Sequence, residues 1–340
     1  MRIRVVIVDD SLFMRAAIKK ALEADPRFEV LALAKDGREG VDKVLALHPD
    51  VVTMDFNMPR MDGLHAVKEI MARRPTPVVM LSAHTTEGAR ETFDALAAGA
   101  VDFMTKPSGE VSADFERLAP LLCAKLADAT HAAPRALAAP TPRPRPASPA
   151  TTWPGTGPRV LVIGISTGGP AALSQLLPQL PGDLPLALLI VQHMPAQFTQ
   201  TLAERLDALS AIEVREARDG DRPRQALALI APGDHHLEVG DGGTLRVAAG
   251  PEVHNCRPSV DVTMKSAARV FGRRAIGLLM TGMGKDGAEG MAAIKAAGGV
   301  TLAQDRGSSV IWGMPRAAIE SGAADEVVAL ADLPARISRL

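Results

Sequence analysis

The sequence predicts an α/β protein built as two doubly wound units around mostly parallel sheets, the second carrying an antiparallel hairpin insert. Three observations lead there. Short β-branched runs alternate with amphipathic stretches from Arg2 to about Leu126. A proline- and alanine-rich stretch then breaks the pattern, and at Arg159 the alternation resumes. A chain of 340 residues also exceeds what one ordinary core covers. The expected boundaries are 1–127 for the first domain, 128–157 for a linker and 158–340 for the second domain.

Five strands are expected in the first domain: Ile3 to Val8, Phe28 to Ala34, Val51 to Met54, Pro77 to Ser82 and Val101 to Met104, each followed by a helix. The linker holds Pro140-Thr141-Pro142-Arg143-Pro144-Arg145-Pro146, with almost nothing apolar to bury, and its prolines favour an extended, semi-stiff spacer. Strands of the second domain are expected at Val160 to Ile163, Leu186 to Val191 and Ala275 to Met280. Between the last two, Ala211 to Ala249 holds short runs punctuated by Pro232-Gly233-Asp234 and Gly240-Asp241-Gly242-Gly243, which reads as hairpins.

Composition narrows the functions available. Lys plus Arg total 38 against 39 Asp plus Glu, so no global field draws the chain to nucleic acid or anionic membrane. The two cysteines, Cys123 and Cys256, are far apart in sequence and have no metal-type spacing, which argues against a disulfide framework and a thiolate metal site. A reducing, cytoplasmic setting is the expectation. Asp9 and Asp10 interrupt the first apolar run before it could serve as a signal core, and no segment is long enough for a membrane span.

Asp9 and Asp10 end the first strand, and Asp55 ends the third. If the strands lie side by side, three carboxylates meet at one sheet edge and repel one another unless a cation joins them. Mg²⁺ suits such an all-oxygen set. Ser82 ends the fourth strand and Lys106 follows the fifth, so a phosphoryl group on Asp55 would find a metal, an ammonium and a hydroxyl around it. Taken singly, a strand-end acid is as easily a helix cap. The motifs Asp9-Asp10-Ser11, Asp55-Phe56-Asn57-Met58-Pro59-Arg60-Met61-Asp62-Gly63 and Thr105-Lys106-Pro107 resemble those of response-regulator receiver domains. The resemblance implies a flavodoxin-like (βα)5 fold and phosphorylation of Asp55 by a histidine kinase. It implies Mg²⁺ held by Asp9, Asp10, Asp55 and the backbone carbonyl of Asn57, phosphate sensing by Ser82 and Lys106, and Phe103 as a switch aromatic.

In the second domain Gly164-Ile165-Ser166-Thr167-Gly168-Gly169-Pro170 follows a buried-type strand and opens a helix. Such a turn serves either an exposed serine nucleophile or a bound nucleotide. The next strand decides between them, because it ends in Gln192-His193-Met194-Pro195 instead of the acid that would hold a ribose. A third strand runs into Thr281-Gly282-Met283-Gly284-Lys285-Asp286-Gly287. Ser166, His193 and Asp286 thus each follow a strand, the set that acyl transfer requires, in an order unlike that of α/β-hydrolases. Singly, His193 reads as a structural histidine, and Ser166 and Asp286 as caps. His235 and His236 lack a metal-like partner set and are expected to be surface or supporting groups.

These motifs, with Ala231-Pro232-Gly233-Asp234, Arg257-Pro258-Ser259-Val260-Asp261 and Gly313-Met314-Pro315, resemble the chemotaxis protein-glutamate methylesterase (CheB) family over nearly the full length. The resemblance implies a triad of Ser166, His193 and Asp286, with Thr167 and Met283 lining the centre as oxyanion donors and no cofactor for ester hydrolysis. It implies hydrolysis of glutamate γ-methyl esters on chemoreceptors, deamidation of receptor glutamines in some members, and activation by phosphorylation. The partners so implied are a chemotaxis histidine kinase and methyl-accepting chemoreceptors. A DNA-binding output and a nucleotide-binding module are the rival readings. The first lacks a basic face and a recognition helix, and the second lacks a ribose acid and a P-loop lysine.

Overall fold

A computed structural model describes residues 2–82, 86–106, 112–132 and 159–340. The chain divides into two compact units, residues 1–139 and 140–340, each with its own core. Apart from residues 128–132, which end and follow the last helix of the first unit, the run read as a linker lies outside the described residues.

The first unit alternates β1 (Ile3–Val8), α1 (Leu12–Glu23), β2 (Phe28–Ala34), α2 (Gly37–Leu47), β3 (Val51–Asp55), α3 (Gly63–Arg73), β4 (Val78–Ser82), α4 (Thr86–Ala97), β5 (Asp102–Thr105) and α5 (Ser112–Ala129). All five strands are parallel, in the order β2-β1-β3-β4-β5. Val5 to Val8 and Val51 to Met54 are fully or almost fully buried, because helices cover the sheet on both faces, α1 with α5 and α2 with α3. Short polar side chains start the helices: Ser11 accepts from the Met14 N–H, Asp36 from Glu39 and Asp62 from His65. Strand order reverses between β1 and β3, so the edge that carries Asp9 and Asp55 is the crevice where such folds place ligands. α5 runs to Ala129, two residues past the expected domain end at 127.

The second unit contains β6 (Val160–Ile165), α6 (Gly169–Leu176), β7 (Ala187–Gln192), α7 (Ala196–Leu209), β8 (Glu213–Glu216), β9 (Leu227–Ile230), β10 (His236–Val239), β11 (Leu245–Ala248), α8 (Val260–Phe271), β12 (Ala275–Leu279), α9 (Ala288–Ala296), β13 (Val300–Gln304), α10 (Met314–Glu320), β14 (Glu326–Val328) and α11 (Leu333–Ile337). Seven strands form one parallel sheet, β14-β13-β12-β6-β7-β9-β8. The hairpin reading of Ala211 to Ala249 holds only for its second half. β10 and β11 are antiparallel around Gly240 to Gly243, whereas β8 and β9 join the parallel sheet beside β7. Pro232-Gly233-Asp234 therefore connects β9 to β10 across elements and does not turn a hairpin. β13 and β14 were not expected; β14 is three residues long, and as an edge strand it leaves Val327 53% exposed. The sheet winds outward both ways from β6, first through β7 and β9, then through β12 and β13, so the switch point lies at the ends of β12, β6 and β7.

Candidate active site and phosphoacceptor site

Ser166, His193 and Thr281 lie just past the carboxyl ends of β6, β7 and β12, three adjacent strands in register. The backbone holds these ends together. Ser166 donates its N–H to the Thr281 carbonyl at 3.0 Å, and His193 donates to the Ile165 carbonyl at 3.1 Å. The Gln192 amide donates to the carbonyl of Ser166 at 3.0 Å and to that of His193 at 3.2 Å. Thr281 binds the other side of the turn, its hydroxyl donating to the Thr167 carbonyl at 2.9 Å and accepting from the Ile311 N–H at 3.0 Å. Gly168 takes a φ of 78°, the left-handed backbone that lets the chain bend from strand into helix. A Cβ on Gly282 would stand 2.8 Å from the Ser166 Cβ, so only glycine lets the β12 turn close over the serine.

Asp286 is 2% exposed and accepts from four donors. His193 Nε2 lies 2.8 Å from its Oδ2, the Val260 N–H reaches Oδ2 at 2.7 Å, and the Asp261 N–H and Ser259 hydroxyl reach Oδ1 at 3.1 and 2.8 Å. The carboxylate thus caps α8, a helix distant in sequence, where the amides and the positive end of the helix dipole favour its charge. α9, the helix that Asp286 precedes, has no side-chain cap at its Gly287 N-terminus, so reading Asp286 as a cap of its own helix is corrected. Burial works to raise the Asp286 pKa, but the hydrogen bond and charge of His193, with the Val260 and Asp261 amides, outweigh it and hold the carboxyl below its ordinary value. Burial also works against a charged His193, yet Asp286 and the Cys256 sulfur more than compensate and raise the imidazole to about 9.

The structure joins His193 to Asp286 and sets Ser166 on the neighbouring strand end. The Ser166 hydroxyl is not hydrogen-bonded to the imidazole; instead Nδ1 faces the Cys256 Sγ at 3.7 Å. Free catalytic sites commonly hold such contacts long. Thr167 is buried directly after Ser166, and half-buried Met283 follows Gly282. Sequence reasoning missed Ser259 and Cys256. Both flank Arg257-Pro258, a motif noted for its likeness and not for any contact. His236 is buried, accepts the Ser259 N–H at Nδ1 (3.2 Å) and lies 2.9 Å from the Pro251 carbonyl through Nε2, so it supports the α8 start.

In the first unit, Lys106 Nζ lies 2.8 Å from Asp9 and 2.7 Å from Asp55, and its N–H donates to the Ser82 carbonyl at 2.8 Å. Asp9, Asp10 and Asp55 offer oxygens within 4.8 Å of one another. Burial raises the Asp55 carboxyl to about 6; Lys106 opposes this and Asp9 adds to it. A cluster with more negative charge than one ammonium neutralises, and only oxygen donors, fits a hard divalent cation. Asp10 and Asn57 are exposed beside it. The Ser82 hydroxyl donates to the Gly88 carbonyl at 3.1 Å and accepts from Thr92 at 2.8 Å, and Phe103 is buried within β5. Among the described residues no helix is long and apolar enough to cross a membrane.

The model for the CheB methylesterase family matches residues 161–337, and that for the response regulator receiver domain matches residues 5–113. The chain belongs to the CheB methylesterase family. A protein-glutamate methylesterase/protein-glutamine glutaminase of Symbiobacterium thermophilum is 50% identical over 99% of this chain and 96% of its own length. One from Pyrococcus abyssi is 44% identical over 99% of this chain and 93% of its own. The crystal structure of the Thermotoga maritima CheB methylesterase catalytic domain covers 54% of this chain and 99% of its own, with 38% identity and a TM-score of 0.53.

Proposed function

We propose that this CheB-family enzyme hydrolyses glutamate γ-methyl esters of chemoreceptors through Ser166, His193 and Asp286, under control of phosphorylation at Asp55. The His193–Asp286 contact at the switch point of the sheet, one strand from Ser166, carries this reading. Asp286 occupies Nε2, so Nδ1 is the nitrogen that takes the Ser166 proton as the hydroxyl oxygen attacks the ester carbonyl. Backbone N–H groups of Thr167 and Met283 serve the oxyanion. Collapse of the tetrahedral adduct sends the proton from Nδ1 to the departing methoxide, releasing methanol. Water then attacks the acyl-serine with His193 again as base, leaving a glutamate carboxylate. The same steps on a glutamine release ammonia, in keeping with the double name of the relatives.

In the receiver domain, Asp9, Asp10, Asp55 and the Asn57 carbonyl would hold Mg²⁺. Bound there, it would supply positive charge to offset the negative charge of a phosphoryl group on Asp55. The Asp55 carboxylate accepts that group from the chemotaxis histidine kinase, Lys106 pairs with it, and Ser82 with Phe103 passes on the change. The tethered receiver, residues 1–127 joined through 128–157, restrains the esterase at 158–340 until Asp55 is phosphorylated. Methanol release from methylated receptor membranes tests this. Residues 158–340 alone are expected to work without phosphodonor, and activity no higher than that of the unphosphorylated full chain would refute the restraint.

A further inference from the structure

His193 and Cys256 form an imidazole–thiol pair that neither the proposed ester hydrolysis nor the family relationship assigns. Asp286 accepts from His193 Nε2–H, so Nδ1 is the ring nitrogen directed at the Cys256 Sγ, 3.7 Å away. A carboxylate behind one imidazole nitrogen, with a metal on the other, is the usual way proteins orient a histidine ligand. Zinc takes nitrogen at about 2.0 Å and thiolate sulfur at about 2.3 Å, so two such ligands on a tetrahedral ion stand roughly 3.5 Å apart. The pair therefore needs to move by only a few tenths of an ångström to share one ion. Ligand atoms of His193, Cys256 and Asp286 all lie within 4.8 Å of one another.

The geometry points to an inhibitory site for a thiophilic divalent cation, Zn²⁺ being the natural probe, bound between His193 Nδ1 and Cys256 Sγ. As the ion binds, the Cys256 thiol and the Nδ1–H of the cationic imidazole each give a proton to the buffer, the freed sulfur and nitrogen lone pairs make the two bonds to the metal, and no electrons are exchanged. Water fills the remaining positions. Because Nδ1 is the nitrogen that would deprotonate Ser166, a bound ion removes the base. The inhibition rests on that triad reading; the binding does not.

The two are separable in the full-length Ser166→Ala protein, with Mg²⁺ saturating the receiver. Titration with Co²⁺ as a spectroscopic stand-in should release protons and give a thiolate-to-metal charge-transfer band, and Zn²⁺ should then abolish the band with no further proton release. Cys256→Ser should lose the band and weaken Zn²⁺ binding at least tenfold, and in the Ser166 protein it should lessen Zn²⁺ inhibition of methanol release by a similar factor, each variant measured against its own metal-free rate. His254→Ala guards against the nearby His254, Asp261 and Glu289 cluster and should keep the band. Equal Zn²⁺ affinity with and without the thiol, or binding lost with His254 and kept without Cys256, overturns the site. Activity surviving in Ser166→Ala would instead refute the triad and leave the binding result standing.

Discussion

His193 holds Asp286 through Nε2 at 2.8 Å, so in the proposed triad Nδ1 is the nitrogen left to act as a base. The imidazole, raised to about 9 by Asp286 and Cys256 against the opposing effect of burial, is mostly cationic at neutral pH. Only the neutral ring accepts the serine proton. The rate constant kcat/KM should therefore climb with pH, about tenfold per unit below the pKa, and level off near 9. A pH–rate profile of methanol release checks this; a plateau already reached at pH 7 would be the wrong shape.

In the proposed triad Ser259 acts as a positioning residue, its hydroxyl 2.8 Å from Asp286 Oδ1. A hydrogen bond to a charged group is worth about 1.5–3 kcal/mol, and the Val260 and Asp261 amides remain when it goes. Ser259→Ala should lower kcat by roughly tenfold with KM little changed, and because a carboxylate shorn of one donor turns more basic, the pH–rate profile should move as well. Ser259→Thr should restore most of the rate. A purely structural role would alter the melting temperature and leave the profile in place.

Gly282 offers a steric test. An added Cβ would lie 2.4 Å from the Met314 sulfur and 2.8 Å from the Ser166 Cβ. Overpacking of this kind costs about 1–3 kcal/mol. Gly282→Ala should keep the fold, lose most of the esterase rate, and leave Asp55 phosphorylation as it was; calorimetry beside methanol release reads both.

The receiver cluster predicts a linkage between pH, metal and stability. Asp55 rises from 3.8 to about 6 on folding, so the folded domain binds more protons than the unfolded one between these values. Stability from this group is largest below about pH 4 and is lost as pH rises through 6, on the order of 3 kcal/mol in metal-free buffer. Asp55→Asn should raise the receiver melting transition at pH 7 and abolish phosphorylation, while Mg²⁺ should stabilise the wild type more than the variant. A lower melting transition for the variant in metal-free buffer would contradict this.

Much of the fold was legible because buried parallel strands announce themselves as unbroken apolar runs, as in Val51 to Met54 and Leu186 to Val191. What stayed hidden was lateral. β8 and β9 are four residues each, too short for their pattern to tell a parallel edge from a hairpin, and only their pairing beside β7 reveals which they are. Asp9, Asp10 and Asp55 could be expected together because each ends or follows a strand and strand ends converge in this topology. Ser259 and Cys256 lie instead in the segment entering α8, and nothing in local spacing shows that this segment folds over the ends of β7 and β12. Asp286 could be named as a partner of His193, yet its bonds to the α8 amides depend on a helix more than twenty residues earlier in the chain.

The most direct test of the central claim is methanol release from methylated receptor membranes by the Ser166→Ala protein, with Mg²⁺ and a small-molecule phosphodonor present. No release above the enzyme-free rate, with Asp55 phosphorylated to the wild-type extent, is the predicted result. Release at a rate near wild type would mean that the hydroxyl at the β6 turn is not the nucleophile.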